Sequence, residues 1–196
     1  MKTRKLIALA GLALCLPGCI PSVNPFYTDK DVVFDPGLVG TWQEKGKEQK
    51  PQIWRFEKAD ERAYKLAVTE EQGKQGEFDA HLFKLKQDYF LDLIPNNCDY
   101  ATNQADLVAA SMFPGHLLVR VIQIEPELKL AFFDFDWLQQ QLTNNPSILA
   151  HHREGDRFVL TASTRELQRF VLKHLAEGEL FNKPGVMVRQ TKPGEK

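Results

Sequence analysis

Apolar and polar side chains alternate along most of the chain after residue 40. In residues 52–57, for example, Trp54 and Phe56 alternate with the charged Arg55 and Glu57. A β-strand that buries one face in the core and exposes the other to solvent produces this period of two. The alternating segments, separated by links that are mostly of hairpin length, predict eight antiparallel strands at 40–44, 52–57, 63–69, 75–86, 89–94, 116–124, 127–135 and 157–161, with a candidate ninth at 186–188.

Two segments between these strands carry helix signals instead. Asp136 is predicted to cap a short helix over residues 137–142. Ser163 is predicted to cap a longer helix over residues 164–177, and Glu166 completes a capping box with it. The apolar positions of the longer helix form one stripe, which favours packing against the sheet.

The predicted fold class is mainly β, an antiparallel eight-stranded barrel or half-barrel with the C-terminal helix packed on it. Eight short strands can close around an interior that is just wide enough for side chains or one small ligand. The alternative is a strongly bent open sheet that the longer helix closes. The β domain is predicted to span residues 31–190, and residues 191–196 are predicted to form a flexible tail.

The first nineteen residues have the pattern of a secretory leader. Three cationic residues precede an apolar run at 6–16, which is shorter than the roughly 20 residues that cross a bilayer as a helix. This combination predicts a signal peptide over residues 1–18. The run LPGC that ends at Cys19 resembles the bacterial lipobox, and the resemblance implies a lipoprotein with diacylglycerol and an acyl chain such as palmitate on Cys19. Ordinary secretory cleavage is the alternative.

The residue after Cys19 bears on which membrane the protein is predicted to occupy. In Gram-negative sorting an Asp at this position retains a lipoprotein in the inner membrane, so by resemblance Ile20 favours the outer membrane, facing the periplasm. Residues 19–30 contain Pro21 and Pro25 and are predicted to be a short lipidated tether. Membrane lipid, reached through the acylated Cys19, is therefore an expected partner.

The start of the predicted barrel carries a motif. Asp35 and Pro36 predict one short helical turn, and Gly-Thr-Trp, ending at Trp42, follows shortly afterwards. This order, with eight strands and a late helix, resembles the lipocalin and calycin group. The resemblance implies that Trp42 closes one end of the barrel beneath an arginine from a late strand, for which Arg157 is the candidate. The chain is also similar to a family of bacterial lipoproteins that share the runs NPFYT at 24–28 and FDP at 34–36, a similarity that implies no activity.

Composition and charge narrow the range of partners. Apolar residues make up 43% and charged residues 26% of the chain, as in ordinary globular domains. Three of the 25 Lys and Arg residues but none of the 26 Asp and Glu residues precede Cys19, so the mature chain is mildly acidic. Because it has no basic run, nucleic acid is not an expected partner. Cys98 is the only cysteine after Cys19, so no internal disulfide is expected.

One cluster of polar residues could carry acid–base or metal chemistry. Asp79 and His81 share one face of a predicted strand, and Asp92 or His116 could lie beside them. The simpler interpretation is that Asp79 and His81 lie on the solvent-exposed face of the strand, because the residues that alternate with them are apolar and occupy its buried face.

The other reactive candidates also have simpler explanations. Asp134 and Asp136 could pair as catalytic carboxylates, but Asp136 is better explained as a helix cap. The adjacent His151 and His152 are poorly spaced to bind one metal ion. Cys98 has no basic neighbour to lower its pKa. We therefore expect no catalytic residue, metal ligand or cofactor, and a protein that is not an enzyme.

The first of two predicted functions is a non-catalytic binding module that holds a small apolar ligand or lipid. Such a site needs a cavity of about 300–1,000 Å³, and a smaller one would argue against it. The apolar segment 105–113 would act as a lid, touch the lipid surface or pack as part of the core. The candidate ligand-binding residues are Phe56, Tyr64, Leu66, Phe78, Leu91, Val119, Val121 and Phe133 in the barrel wall and Leu107 over its mouth.

The alternative function is an envelope scaffold or interaction protein. In that case the same apolar side chains fill the barrel, no ligand enters it, and the partners are other envelope proteins. Filling is the commoner outcome for an eight-stranded barrel.

Overall fold

The computed structural model describes residues 20–96 and 113–190. The predictions for the signal peptide, Cys19, Cys98, Leu107 and the tail lie outside these residues. Of the predicted segment 105–113 only Phe113 is described, and its side chain is exposed. Within the described residues, no helix is both long enough and apolar enough to cross a bilayer.

The chain forms a mainly β structure with two α-helices among its described residues. The helices are α1 (Phe135–Asn144) and α2 (Thr164–Leu175). The strands are β1 (Gly40–Glu44), β2 (Ile53–Lys58), β3 (Tyr64–Thr69), β4 (Gln75–Leu85), β5 (Asp88–Pro95), β6 (Leu117–Gln123), β7 (Glu127–Phe132), β8 (His151–Glu154), β9 (Arg157–Leu160) and β10 (Gly185–Arg189).

Eight of these strands close into an antiparallel barrel in the order β1-β10-β7-β6-β5-β4-β3-β2. This confirms the predicted eight-stranded barrel and excludes the open sheet. The strands β2, β4, β6 and β10 begin at the same end of the barrel at which β1, β3, β5 and β7 end. We call this the open end, and we call the opposite end, where β1 begins, the closed end.

The identity of the eighth barrel strand differs from the prediction. The segment predicted at 157–161 is β9, which pairs with β8 in a separate two-stranded sheet. The candidate ninth strand is β10, which pairs with both β1 and β7 and closes the barrel. Both segments contain a run of three apolar residues, FVL at 158–160 and VMV at 186–188, so the local pattern could not say which one joins the barrel.

Side chains from all eight barrel strands fill its interior. The inward positions form one continuous apolar cluster, which the short 3-10 turn Pro36–Leu38 completes at the closed end. Its largest fully buried members are Trp42, Tyr64, Phe56, Leu38, Leu66, Leu82, Leu91 and Leu128.

A second apolar cluster lies on the outside of the barrel. Phe83 and Phe90 project outward from β4 and β5, and Leu167 and Phe170 of α2 are buried in the same cluster. Residues of α1, β9 and the N-terminal segment complete it. The C-terminal helix therefore packs on the barrel, as predicted.

Residues 20–34, which we call the N-terminal strap, run across the body instead of forming the free tether predicted for 19–30. The side chains of Ile20 and Phe26 are buried in the outer cluster. Ser22 exchanges two backbone hydrogen bonds with His116, at 2.9 and 2.8 Å. Pro21 and Pro25 suggested an extended segment, but the apolar residues around them bury against the barrel.

The caps of the two helices differ in how well they match expectation. The capping box of Ser163 and Glu166 on α2 is confirmed. Helix α1 begins two residues earlier than predicted, because Asp134 rather than Asp136 is its cap. Asp134 Oδ1 accepts a hydrogen bond of 2.9 Å from the Trp137 backbone N–H, and Asp136 lies in the first turn.

Candidate functional site

The closed end of the barrel is sealed by a stack of Trp42 and Arg189. Trp42 is fully buried, and its Nε1 donates a hydrogen bond of 2.9 Å to the Leu38 carbonyl oxygen. The Arg189 guanidinium lies 4.3 Å from the centre of a Trp42 ring, which is cation–π geometry. Its two terminal nitrogens donate to the carbonyl oxygens of Val39 and Gly37, at 2.7 and 2.5 Å.

The arginine expected above Trp42 is therefore Arg189 and not Arg157. Arg157 lies exposed in β9, outside the barrel, whereas Arg189 pairs directly with Trp42 across β10 and β1. The seal also explains Gly40. A Cβ on Gly40 would lie 2.3 Å from Arg189 Nη1, and the φ of +138° at this position disfavours any other residue.

At the open end the barrel contains a cavity of about 230 Å³. It lies among the ends of the strands, above the filled part of the interior. Six apolar side chains supply most of its wall, namely Trp54, Val68, Phe78, Leu93, Leu117 and Phe132. Gln52, Glu70, Lys74 and Gln75 add polar groups.

Trp54 is the unusual residue of this cavity. It is 3% exposed, and its Nε1 has no hydrogen-bond partner among the described residues. The other two indoles of the chain both donate, Trp42 to Leu38 and Trp137 to the Glu179 carboxylate at 3.0 Å. A buried N–H without an acceptor is rare in folded proteins, because it loses its bond to water and gains nothing.

Most of the predicted wall residues do face the barrel interior. Six of them are buried in the inner cluster, and Phe78 is half-buried against it and lines the cavity. These six pack against one another and so fill the barrel instead of leaving a space between them. They are Phe56, Tyr64, Leu66, Leu91, Val119 and Val121.

Phe133 was wrongly assigned to the barrel interior. It stacks on Phe181 in the outer cluster, with ring centres 5.3 Å apart, and meets Phe26 edge-on at 5.9 Å. The inward residue is Phe132, which continues the alternation of Leu128 and Leu130. Strict period-two counting along β7 would have found it.

The predicted polar cluster on the barrel's outer face is partly assembled. Asp92 is fully buried, and its Oδ1 lies 2.6 Å from His116 Nδ1. Its Oδ2 accepts a hydrogen bond of 2.8 Å from the Phe26 backbone N–H. His81 lies directly across from Asp92 in the sheet and stacks on Tyr27 at 4.8 Å. Oδ2 of Asp92 thus holds the N-terminal strap directly, and Oδ1 contacts His116, whose backbone bonds to Ser22 of the strap.

Burial shapes the titration of this cluster. It lowers the pKa of His81 below the ordinary value, although the carboxylates of Asp92, Asp60 and Asp79 oppose the shift. It also raises the pKa of Tyr27 to about 12, with the charge of Asp92 as a second cause. The neutral forms of both side chains are therefore favoured in the folded protein.

The remaining candidates do not converge on a reactive centre. Asp79 forms an ion pair with Lys65 on the solvent side of the sheet. His151 lies in β8, where its Nδ1 is 2.8 Å from the Leu149 carbonyl oxygen, and His152 is exposed. Within residues 20–96 and 113–190, no three His, Cys, Asp or Glu side chains are grouped so as to hold a metal ion.

The fold and the two barrel ends define the class of this protein as a closed eight-stranded antiparallel barrel, sealed at one end and carrying a small apolar cavity at the other. No protein-family model, curated protein or solved structure matches the chain.

Proposed function

We propose that this chain is a lipid-anchored, non-catalytic binding protein of the bacterial envelope, in which the barrel is a filled scaffold and partners bind at its surface. The anchor is the acylated Cys19, and by its following residue the protein resides in the outer membrane and faces the periplasm. Its partners are membrane lipid and other envelope proteins.

The packed interior of the barrel is the observation that favours this function. The six buried wall residues lie in one continuous cluster. The cavity at the open end, about 230 Å³ in volume, is below the 300 Å³ at which small-molecule sites begin. A ligand of ordinary size therefore has no space within the described part of the barrel.

Native mass spectrometry of the delipidated mature protein, purified from its host, tests this proposal. We expect the mass of the polypeptide alone, and complexes with a second polypeptide when the extraction is gentle. A tightly bound small molecule that co-purifies with the monomer and is released only on unfolding would contradict the filled scaffold.

A reduced form of the ligand-binding function is the second candidate. The apolar cavity at the open end favours it, because this is a concave apolar site with a few polar groups at its rim. Such a site would take a very small molecule, or one end of a larger one.

A further inference from the structure

The outer face of β6 and β7 carries an apolar side chain that the fold pushes into solvent. Ile122 lies at a shift in register between these strands, where β6 has one residue more than its partner. It is therefore the extra residue of a β-bulge, a device that re-aims side chains and recurs beside functional sites. The Ile122 side chain is 46% exposed, whereas its neighbour Val121 is buried in the barrel.

A shallow groove connects Ile122 with basic side chains. It has a volume of about 290 Å³ and lies between the sheet and the segment 178–184 that follows α2. Arg120 and Lys183 line it together with Ile122. Arg120 is held there by a hydrogen bond of 2.8 Å to Asp88, which balances its charge. The free positive charge at this groove therefore belongs to Lys183.

Two lysines of this face have no acidic partner among the described residues. Lys183 forms no hydrogen bond or ion pair with any of them. Lys129 of β7 faces outward between two inward-facing leucines, and its Nζ donates to the neutral Gln123 side chain at 3.2 Å. Glu127, on the same strand, is paired with Lys45. The face thus has a local positive excess, although the mature chain as a whole is mildly acidic.

The N-terminal strap leads towards the same side of the barrel. Ser22 pairs with His116, the residue before β6, in antiparallel fashion. From Ser22 back to Ile20 the strap therefore runs in the direction in which β6 proceeds towards its bulge. Cys19 is the next residue of the chain, so the proposed lipid is attached on the side of the barrel that β6 occupies.

We propose that the outer face of β6 and β7, with Ile122, Lys129 and Lys183, lies on an anionic phospholipid bilayer. The lysines attract the headgroup phosphates, and Ile122 enters the interfacial layer between headgroups and acyl chains. Two lysines bind weakly by themselves, but the anchor keeps the body at the surface, where a weak contact is sufficient to orient it. The inference rests on the proposed lipid anchor and adds the face by which the body meets the membrane.

The test attaches the protein to lipid chemically and so does not depend on acylation in the cell. The mature chain, carrying Cys98→Ser, is coupled through Cys19 to a maleimide phospholipid in nanodiscs of phosphatidylcholine and phosphatidylglycerol in equal amounts. A gadolinium chelate on other headgroups broadens the NMR signals of nearby isoleucine methyl groups. We expect strong broadening of Ile122. Ile53, in β2 on the opposite side of the barrel, should keep a sharp signal.

The preference for this face should require acidic lipid and both lysines. It should disappear on phosphatidylcholine alone and at about 1 M salt, where the Debye length falls to about 3 Å. Lys129→Gln combined with Lys183→Gln should lower the ratio of docked to undocked protein about fivefold for each lysine removed. Lys58→Gln combined with Lys65→Gln is the matched control. It makes the same change in net charge on β2 and β3 and should leave the broadening of Ile122 unchanged.

The proposal is overturned if Ile53 is broadened as much as Ile122, since the body then has no preferred face. It is also overturned if Ile122 stays sharp on the acidic nanodiscs, which would leave the face to an acidic protein partner. Both readings come from the chain without lysine substitutions and stand even if those variants fail to fold. Failure of the lipid anchor itself is distinguishable, because it appears as unchanged palmitate labelling of the Cys19→Ser variant.

Discussion

Arg189 joins three parts of the closed end through one guanidinium group. It covers the ring of Trp42, bonds to two carbonyl oxygens of the turn that precedes β1, and approaches Glu125 at 3.1 Å. The turn is therefore held against the last strand, and the first and last strands of the barrel are fastened together. Truncation of either Trp42 or Arg189 should therefore destabilise the closed end of the barrel.

The closed-end seal gives the first prediction. Trp42→Ala should lower the free energy of unfolding by about 3–5 kcal/mol, because it leaves a large cavity in the inner cluster. Arg189→Ala should cost about 1–3 kcal/mol, since it removes two hydrogen bonds from a charged donor and the contact with the ring.

Urea unfolding measures both changes, and Arg157→Ala is the matched control. Arg157 is exposed in β9, so its truncation should alter the free energy of unfolding by no more than about 0.5 kcal/mol. Equal losses for the Arg157 and Arg189 variants would show that the guanidinium above Trp42 contributes nothing specific.

At the scale of elements, the N-terminal strap and the outer cluster depend on each other. The strap bonds to the residue before β6 through Ser22, to the start of α2 through Pro25 and Thr164, and to β5 through Phe26 and Asp92. It thus ties the barrel to the layer outside it. An acyl group on Cys19 would be attached one residue from the buried Ile20, with no flexible spacer.

The buried carboxylate of Asp92 gives the second prediction. Asp92→Ala should destabilise the protein by about 2–3 kcal/mol, because it leaves the Phe26 amide buried without its charged acceptor. Hydrogen exchange should show faster exchange at that amide than in the unmodified protein. Asp79→Ala, at an exposed carboxylate paired with Lys65, is the control and should cost less than about 1 kcal/mol.

Limited proteolysis tests the strap directly and is the third prediction. If residues 20–34 are packed as described, a protease should not cleave between Ile20 and Lys30 while the body is folded. In the Asp92→Ala variant the same peptide bonds should become sensitive first. Rapid cleavage within this range in the unmodified protein would restore the original expectation of a free tether.

At the scale of the whole molecule, burial of neutral titratable groups limits stability at both ends of the pH range. The folded pKa of His81 is lower than its ordinary value of 6.5, so the unfolded chain binds more protons as the pH falls below that value. The folded pKa values of Tyr27 and Tyr64 are raised by burial to about 12 from an ordinary 10. The unfolded chain therefore loses protons first as the pH rises above 10.

The fourth prediction follows from these signs. The contribution of His81 to stability should be present above pH 6.5 and be lost as the pH falls from 6.5 towards the lower folded pKa, while that of the tyrosines should be lost as the pH rises from 10 to about 12. Urea unfolding across this range measures both. Tyr27→Phe should reduce the alkaline loss, because it removes one of the two tyrosines whose folded pKa is raised.

The proposed anchor gives the fifth prediction. Cys19→Ser should abolish the uptake of labelled palmitate and release the protein from the membrane fraction, because two or more acyl chains are what makes such attachment stable. Cys98→Ser is the control and should leave labelling unchanged. Unchanged palmitate labelling of the Cys19→Ser variant would contradict the proposal that the protein is a lipoprotein.

Features that depend on neighbouring residues along the chain could be predicted from the sequence alone. Period-two patterning located the barrel strands, though not β8, and six of the inward wall residues, because side chains alternate in any strand whatever its partners. The capping box of Ser163 and the turn at Asp35 were equally local. The number of barrel strands also followed, since alternating segments with short links pair with their neighbours.

Only the tertiary structure decided which distant segments meet. β9 and β10 carry similar patterns, yet β10 joins the barrel, and with it Arg189 rather than Arg157 reaches Trp42. The strap is packed although its prolines suggest an extended tether. Trp54 Nε1 has no acceptor among the described residues because of what surrounds it in space. Pairing across long separations and the burial of each polar group depend on the whole set of contacts, and no short stretch of sequence contains that information.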